Sequence, residues 1–508
     1  MQNQPINYAR HIRLVVFSFV VQGVFYLRGM LLLPLLTRCL GPEAFGSWSK
    51  MQAALNLVTP LVGLGATLGA LRYVPGADRE RRGVLMGTAL VAIAATTAIV
   101  MLGAAATFPV QKRLFLVGSP GDFTFAMATV LWVAVPSAAL LQLSKGYFRA
   151  RERPVMYGVL VCLEVGSMIL CTLLAWRGIG ASLWVPLLAF SAMPLAVSLY
   201  GLAHVLRDSG IAVSQRVLRE LVKYGAPLLP VGTLVWTGQF ADRYMMTFLI
   251  ADRADEMIGI YAANYTFGGL IALAFSPFFL FYFPTAMRLW EGGWRDHASH
   301  LTCQTVKYGM ICGIPILLTA PVIARRGVPL VAGKAFEAAP EVMFLVMLGY
   351  LFLQLADLVA VPIYGERRTR LLLGHHVVAV IANVCANWLL IPRIDKPWGG
   401  MTGAALATGL SFGLFLLLNV RAATRISPGK LEWWPLAKVF AAALGCAFAM
   451  RAWAPDTGLS LILATVVVGS LYGSLLLALR AVSLDELRSI LGAVSGLLCE
   501  VRERVLGQ

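Results

Sequence analysis

Residues 34–48 read PLLTRCLGPEAFGSW, a polar, glycine-punctuated gap between two long apolar runs. Arg38, Gly41, Pro42, Glu43 and Gly46 interrupt the hydrophobic pattern here, and the runs on either side are Leu14 to Leu36 and Ser47 to Leu71. Each run exceeds the roughly 20 residues that a helix needs to cross a hydrocarbon core of about 30 Å. The stretch therefore reads as the turn of a transmembrane helical hairpin. The same test applied outward finds fourteen qualifying runs, the last at Leu459 to Leu479. Composition agrees: of 508 residues 59% are hydrophobic and 13% charged, with a mean hydropathy of +0.76, which excludes an ordinary soluble domain. The expected fold is all-α and polytopic, with about 14 transmembrane helices. The first run is too long for the apolar region of a signal peptide and lacks a small-x-small cleavage site, so it is expected to stay in the chain.

Orientation follows from Lys and Arg. With span-edge residues counted with the loop they adjoin, the side holding the N-terminus carries 27 of them and the opposite side 12, while Arg28, Arg243 and Lys438 lie within spans. The positive-inside rule then places both termini in the cytoplasm. The formal charge of +17 is a topology signal, with contact to anionic lipid headgroups as its second consequence. No loop is long enough to form a basic domain, which argues against nucleic acid as a partner. The eight cysteines show no CxxC pairing and read as small hydrophobes.

The opening stretch recurs. Sliding GQFADRYMMTFLIADRADEMIGIYAANYTFGGL back by about 215 residues pairs Arg243 with Arg28, and Gly259 with Gly46 to within two residues. KGYFRARERPVMYGVLVCLEVGSMIL likewise matches VPIYGERRTRLLLGHHVVAVIANVCANWLL about 217 residues later. Spans one to six and seven to twelve read as two repeats. An even number of spans gives them the same orientation, so they are related by an axis along the membrane normal. The expected organisation is an N-lobe over 1–206, a cytoplasmic interfacial linker helix over 207–223, a C-lobe over 224–424, accessory spans over 436–479 and a cytoplasmic amphipathic helix over 483–508.

Charges inside spans cost about 2.5–3.5 kcal/mol each on insertion scales, so they face hydrated cavities or partners. Arg28, Glu164, Asp242, Arg243 and Asp357 are the candidates. Arg28 and its repeat mate Arg243 would clamp a diphosphate from two lobes, a ligand that the guanidinium fork suits. The alternative pairs Arg28 with Glu164 and Arg243 with Asp242 as structural ion pairs. Glu164 and Asp357 each read as cavity-lining or as interhelical glue. Trp48, Trp236, Tyr244, Tyr261 and Tyr265, with Tyr26, read as an interfacial belt, or else as stacking platforms for sugar rings.

Three segments carry a resemblance: LLLPLLTRCLGPEAFGSWSKMQAALNLVTPLVGLGATLGALRYVPGADRERRGVL, ADRYMMTFLIADRADEMIGIYAANY and IANVCANWLLIPRIDKPWGGMTGAALATGL. In order and spacing the chain resembles polysaccharide flippases, the Wzx-type transporters of the multidrug/oligosaccharidyl-lipid/polysaccharide exporter superfamily. One departure is RIDKPWGG, which is longer and bulkier than the short turn usual there. The resemblance implies export of undecaprenyl-diphosphate-linked oligosaccharide across a bacterial inner membrane, with a polysaccharide polymerase and chain-length machinery as partners. It also implies a sodium ion held between spans seven, eleven and twelve. Asp242, Asn383, Asn387 and Thr408 supply the hard oxygen donors such an ion prefers, Asn383 and Asn387 sharing a helix face. Coupling would be to sodium or to a proton on Asp242, and no other cofactor is expected.

A peptidoglycan-precursor flippase and a cation-coupled multidrug exporter of the same superfamily are the alternatives, the latter disfavoured by the paired arginines and by fourteen rather than twelve spans. A membrane glycosyltransferase or polymerase ordinarily needs a large extracytoplasmic loop. No such loop and no catalytic constellation stands out, so the chain is read as a transporter rather than an enzyme.

Overall fold

The computed structural model describes residues 8–63, 65–106, 109, 121–151, 153–250, 253–336, 339–394, 396, 399–427, 429, 433–453 and 457–482. Every regular element among them is helical. Helix α1 (Tyr8–Leu61) carries spans one and two, joined at Gly41, whose φ of 72° and ψ of 174° turn the chain in a single residue. Only glycine adopts that conformation at no steric cost. Pro42 follows, suited to the first helical position because its missing N–H has no partner there. The expected hairpin turn thus contracts to one residue, and span two begins earlier than its apolar run.

Helix α2 (Ala66–Tyr73) continues span two after a break, and the two pieces meet at 56°. Then come α3 (Arg79–Ala106), α4 (Gly121–Ala150), α5 (Pro154–Ile179), α6 (Trp184–Ser209) and the short α7 (Gln215–Gly225). The second half holds α8 (Leu229–Leu249), α9 (Ala254–Gly268), α10 (Ile271–Glu291), α11 (Arg295–Ala332), α12 (Pro340–Val359), α13 (Val361–Gly365), α14 (Thr369–Leu390) and α15 (Met401–Ile426). Last are α16 (Trp433–Trp453) and α17 (Gly458–Ala478). Among the described residues ten helices are long and apolar enough to cross a membrane, eleven with the bent pair. The three other expected spans are helical too, in the first part of α1, in α4 and in α8. The chain is a multi-pass membrane protein.

Two expected boundaries change. Span eight is broken between α9 and α10 at Gly269 and Leu270. Span nine, expected over Val306–Ala324, is the 38-residue α11, about 57 Å long at 1.5 Å per residue, because polar turns at both ends continue an apolar middle. The linker helix is α7. The Ser214 side chain accepts a hydrogen bond from the Val217 N–H, and the Ser214 N–H reaches Thr88 on α3 at 3.1 Å. The amphipathic segment expected over 483–508 lies outside the described residues.

Packing ties the halves together. One cluster belongs to the first half alone, from Val62 through Met86 and Tyr147 to Leu221. The largest joins both, with Leu36, Phe45, Trp48 and Met51 of α1 meeting Ala263, Phe275, Phe336 and Met347. At its edge, on the end of the bundle that holds Gly41, the repeat-paired glycines touch. A Cβ on Gly46 would stand on the Asp255 carbonyl and lie 2.9 Å from the Gly259 nitrogen, and one on Gly259 would stand on the Pro42 carbonyl, 3.1 Å from the Gly46 nitrogen. The contact is reciprocal, backbone against backbone.

Neither glycine can therefore carry a side chain without parting the helices. Gly46→Ala and Gly259→Ala should each cost about 1–3 kcal/mol, the range for overpacking a filled site. A thermal melt of purified protein should show this as a lower midpoint than wild type. Gly374→Ala, where an added Cβ meets nothing within 4 Å, should leave the midpoint unchanged or raise it.

Candidate functional site

Beside the glycine contact lies a charged joint. Lys50 Nζ donates to Asp255 Oδ1 at 2.5 Å, and Ser47 Oγ donates to Oδ2 at 2.7 Å. The Lys50 side chain is wholly buried and that of Asp255 is 11% exposed. Ser47 and Lys50 are one turn apart on α1, while Asp255 stands in the first turn of α9, where a carboxylate also meets the positive end of the helix dipole. Around the pair, Tyr244 donates to the Lys50 carbonyl at 2.7 Å and Trp236 Nε1 to the Ala53 carbonyl at 2.7 Å. Arg38 donates to the Leu330 carbonyl at 2.9 Å, and Phe45 meets Phe336 edge to face. At this end the two halves are closed on each other. Sequence reading missed Lys50, since three residues inside an apolar run it was counted with the loop.

A second cluster sits deeper in the first half. Glu164 on α5 accepts from Arg28 on α1 at 2.9 Å and from Lys145 on α4 at 2.8 Å. The Glu164 side chain is 7% exposed and that of Arg28 26%. The Arg28–Glu164 pair, one of the two readings left open by the sequence, forms. Lys145 was hidden because α4 runs seven residues past its apolar run, to Ala150, and Lys145 had been counted with the basic loop. One carboxylate holds two cations from two other helices, an arrangement with a net positive charge.

Arg243 goes elsewhere. Its guanidinium lies over the rings of Phe240 at 4.9 Å and Tyr265 at 5.3 Å, and its backbone N–H, rather than its side chain, donates to Asp242 Oδ1. The side-chain pairing of Arg243 with Asp242 is not formed. Nor does any hydrogen bond or ion pair link Arg28 to Arg243 among the described residues. They flank α9 from two sides, Arg243 against Tyr265 and Gly29 against Thr266.

The residues read as a cation site are gathered into one buried polar group. Asp242 accepts from Tyr261 at 2.5 Å, and the Tyr261 hydroxyl also reaches Thr408. Asn387 donates to Asn383 at 3.0 Å, Asn383 to Ser411 at 3.1 Å, and Ser411 to the Thr408 carbonyl. Tyr261, read from the sequence as a belt or stacking aromatic, and Ser411 join the group. Asn387 Oδ1 is buried without a partner among the described residues, and an orphaned acceptor of this kind is what a hard cation satisfies.

Asp357 is placed near the far end of α12 and makes no hydrogen bond or ion pair to Arg28, Glu164 or Arg243 among the described residues. The aromatic belt is also revised. Trp48, Tyr261 and Tyr265 are buried, and Trp236 and Tyr244 hold the joint; the polar atoms of Tyr261, Trp236 and Tyr244 find partners inside the bundle. Tyr26 lies outside the described side chains.

A family model described as polysaccharide biosynthesis protein matches residues 12–290, more than half of the chain. The chain belongs to this family. The match is the one that the hairpin and span-seven motifs anticipate. In fold, the chain is similar to the Lipid II flippase MurJ in an inward closed conformation, with a TM-score of 0.70 at 11% identity over 91% of this chain and 98% of that one. It is also similar to an inward-facing multidrug resistance MATE family transporter of the MOP superfamily, at a TM-score of 0.63 and 12% identity over 82% and 98%. A Vibrio cholerae MATE transporter gives 0.58 at 13% identity over 82% and 98%. Among curated proteins none matches the sequence. The fold is that of the MOP superfamily.

A family built on two packed halves makes the Lys50–Asp255 joint the first place to test. Removing one member of a buried pair costs about 3–5 kcal/mol, while replacing both with apolar residues is often neutral. Lys50→Met alone should lower the melting midpoint strongly. Lys50→Met with Asp255→Leu should recover most of the loss. Equal losses in the single and double variants would show that the two side chains are not coupled.

Proposed function

We propose that the chain translocates a polyprenyl-diphosphate-linked oligosaccharide across the membrane by alternating access of its two halves. Family membership supports the polysaccharide end of the reading. The observation that carries it is the Arg28–Lys145 pair held on Glu164, a charged cluster deep among apolar helices. Two cations sharing one carboxylate leave an excess of positive charge, the sign that a diphosphate diester calls for. The incoming phosphates would replace Glu164 as acceptors for Arg28 and Lys145, so the cations are never left unpaired in a low-dielectric site. Arg offers the planar bidentate contact and Lys a mobile point charge.

The excess of Lys and Arg on the side of the N-terminus supports cytoplasmic termini. The end closed by Lys50 and Asp255 is then extracytoplasmic, and loading takes place from the cytoplasmic side. The orphaned Asn387 carbonyl with Asp242, Asn383 and Thr408 supports a sodium site, and a sodium ion bound there would couple transport to an ion gradient. Tyr261 would orient Asp242 toward it. The glycolipid delivered outside would pass to a polysaccharide polymerase and its chain-length machinery. A peptidoglycan-precursor lipid is the second reading, favoured by one observation: MurJ covers the chain more fully than the MATE transporters do, 91% against 82%.

Proteoliposomes carrying fluorescent polyprenyl-diphosphate glycans decide between these. Wild type should move the oligosaccharide form faster than the peptidoglycan precursor, in a gradient-dependent way that Asp242→Asn removes. Arg28→Ala with Lys145→Ala should slow it by roughly 10–100-fold, the worth of a charge-assisted contact of about 1.5–3 kcal/mol. Arg28→Lys should be intermediate. Full-speed movement by the double alanine variant would refute the assignment, and preference for the peptide-bearing lipid would establish the second reading.

A further inference from the structure

A groove of about 390 Å³ opens between α11, α12 and α16, lined by Arg325, Glu341 and Arg451 among apolar residues that include Val322 and Phe344. It belongs to the end of the bundle that Gly41 marks, since the Leu330 carbonyl near the end of α11 is held by Arg38. By the charge count this end is the poor one in basic residues, with 12 against 27, yet two of its arginines converge on one groove. Helix dipoles account for two of the three charges, because Glu341 lies in the first turn of α12 and Arg451 in the last turn of α16. They do not account for Arg325, seven residues and about 10 Å inside the end of α11. Arg325 directly follows the apolar run that ends at Ala324, and a cation at that edge is placed to meet an anion at headgroup level.

We infer that this groove holds the headgroup of a phospholipid bearing a phosphodiester and a primary ammonium, the phosphate between Arg325 and Arg451 and the ammonium at Glu341. Such a zwitterion sets its anion between two guanidinium groups and its cation at a carboxylate. Val322 and Phe344 offer the acyl chains a wall running down from the charged rim. Neither Arg28 nor Asp242 lines the groove, which takes its walls from the second half and α16, so its occupant is a resident lipid rather than transported substrate.

Native mass spectrometry of the full chain, released from micelles containing equal phosphatidylethanolamine, phosphatidylcholine and phosphatidylglycerol with identical acyl chains, tests this. Phosphatidylethanolamine should be retained preferentially. Arg325→Gln with Arg451→Gln should reduce phospholipid retention roughly tenfold, the worth of one charge-assisted contact. Glu341→Gln should abolish the preference for phosphatidylethanolamine over phosphatidylcholine, whose quaternary ammonium donates no hydrogen bond, and leave phosphatidylglycerol retention unchanged. Arg325→Lys with Arg451→Lys, which keeps the charge, should retain lipid and so separates loss of binding from loss of fold. Equal retention of the three lipids by wild type, retention by the glutamine double variant at the wild-type level, or a polyprenyl phosphate as the lipid retained would each overturn the inference.

Discussion

The two halves are held by a contact that no side chain can enter. Gly46 and Gly259 place backbone on backbone, and this closeness is what buries Lys50 against Asp255. The energetics suit a joint that parts, as the proposed alternating access requires. The apolar contacts around it, Phe45 on Phe336 among them, favour the closed state by about 25 cal/mol for every Å² withdrawn from water. A buried ion pair instead regains hydration when it opens, and its Coulomb attraction is largely offset by desolvation while it is closed. The joint can be specific in register without being deep in free energy. Ser47, which satisfies the second oxygen of Asp255, fixes that register further.

The same economy is visible at the Arg28 cluster. Glu164 keeps Arg28 and Lys145 paired in the absence of any other anion, so the bundle can hold two cations among apolar helices. In the second half, Tyr261 ties Asp242 of α8 to Thr408 of α15, while Asn383 and Asn387 of α14 reach the same turn of α15 through Ser411. This group packs three helices through polar contacts that are costly to leave unmade. Arg243 sits one residue from Asp242 and against Tyr265 of α9, the helix that also carries Asp255. The polar group and the joint are thus connected through α9, over the ten residues from Asp255 to Tyr265.

Hydropathy sees span interiors well and their ends poorly, and the record of the sequence reflects that. The spans, the hairpin at Gly41 and the repeat equivalence of Gly46 and Gly259 were legible, because period, length and punctuation are local properties; that the two glycines touch was not. The charges that matter at helix ends were not: Lys50 and Lys145 stand at the edges of apolar runs and look like loop residues until the helices are seen to continue past them. The breaks after Leu61 and after Gly268 coincide with glycines, Gly63 with Gly65 and Gly268 with Gly269, which hydropathy alone does not weigh. The partition of Arg28 and Arg243 was also invisible, since repeat equivalence gives the same register but not the same neighbours. Arg28 found a carboxylate, whereas Arg243 found two aromatic rings.

The central claim is that the halves part at Lys50 and Asp255 during each transport cycle. The most direct measurement cross-links that joint in otherwise cysteine-free protein carrying Ser47→Cys and Asp255→Cys with Lys50→Met, so that no buried charge is left unpaired, reconstituted with a fluorescent polyprenyl-diphosphate oligosaccharide. The account predicts that oxidation stops translocation and that reduction restores it to the rate before oxidation, with each single-cysteine protein unaffected by either treatment. Undiminished translocation by the fully cross-linked protein would contradict it.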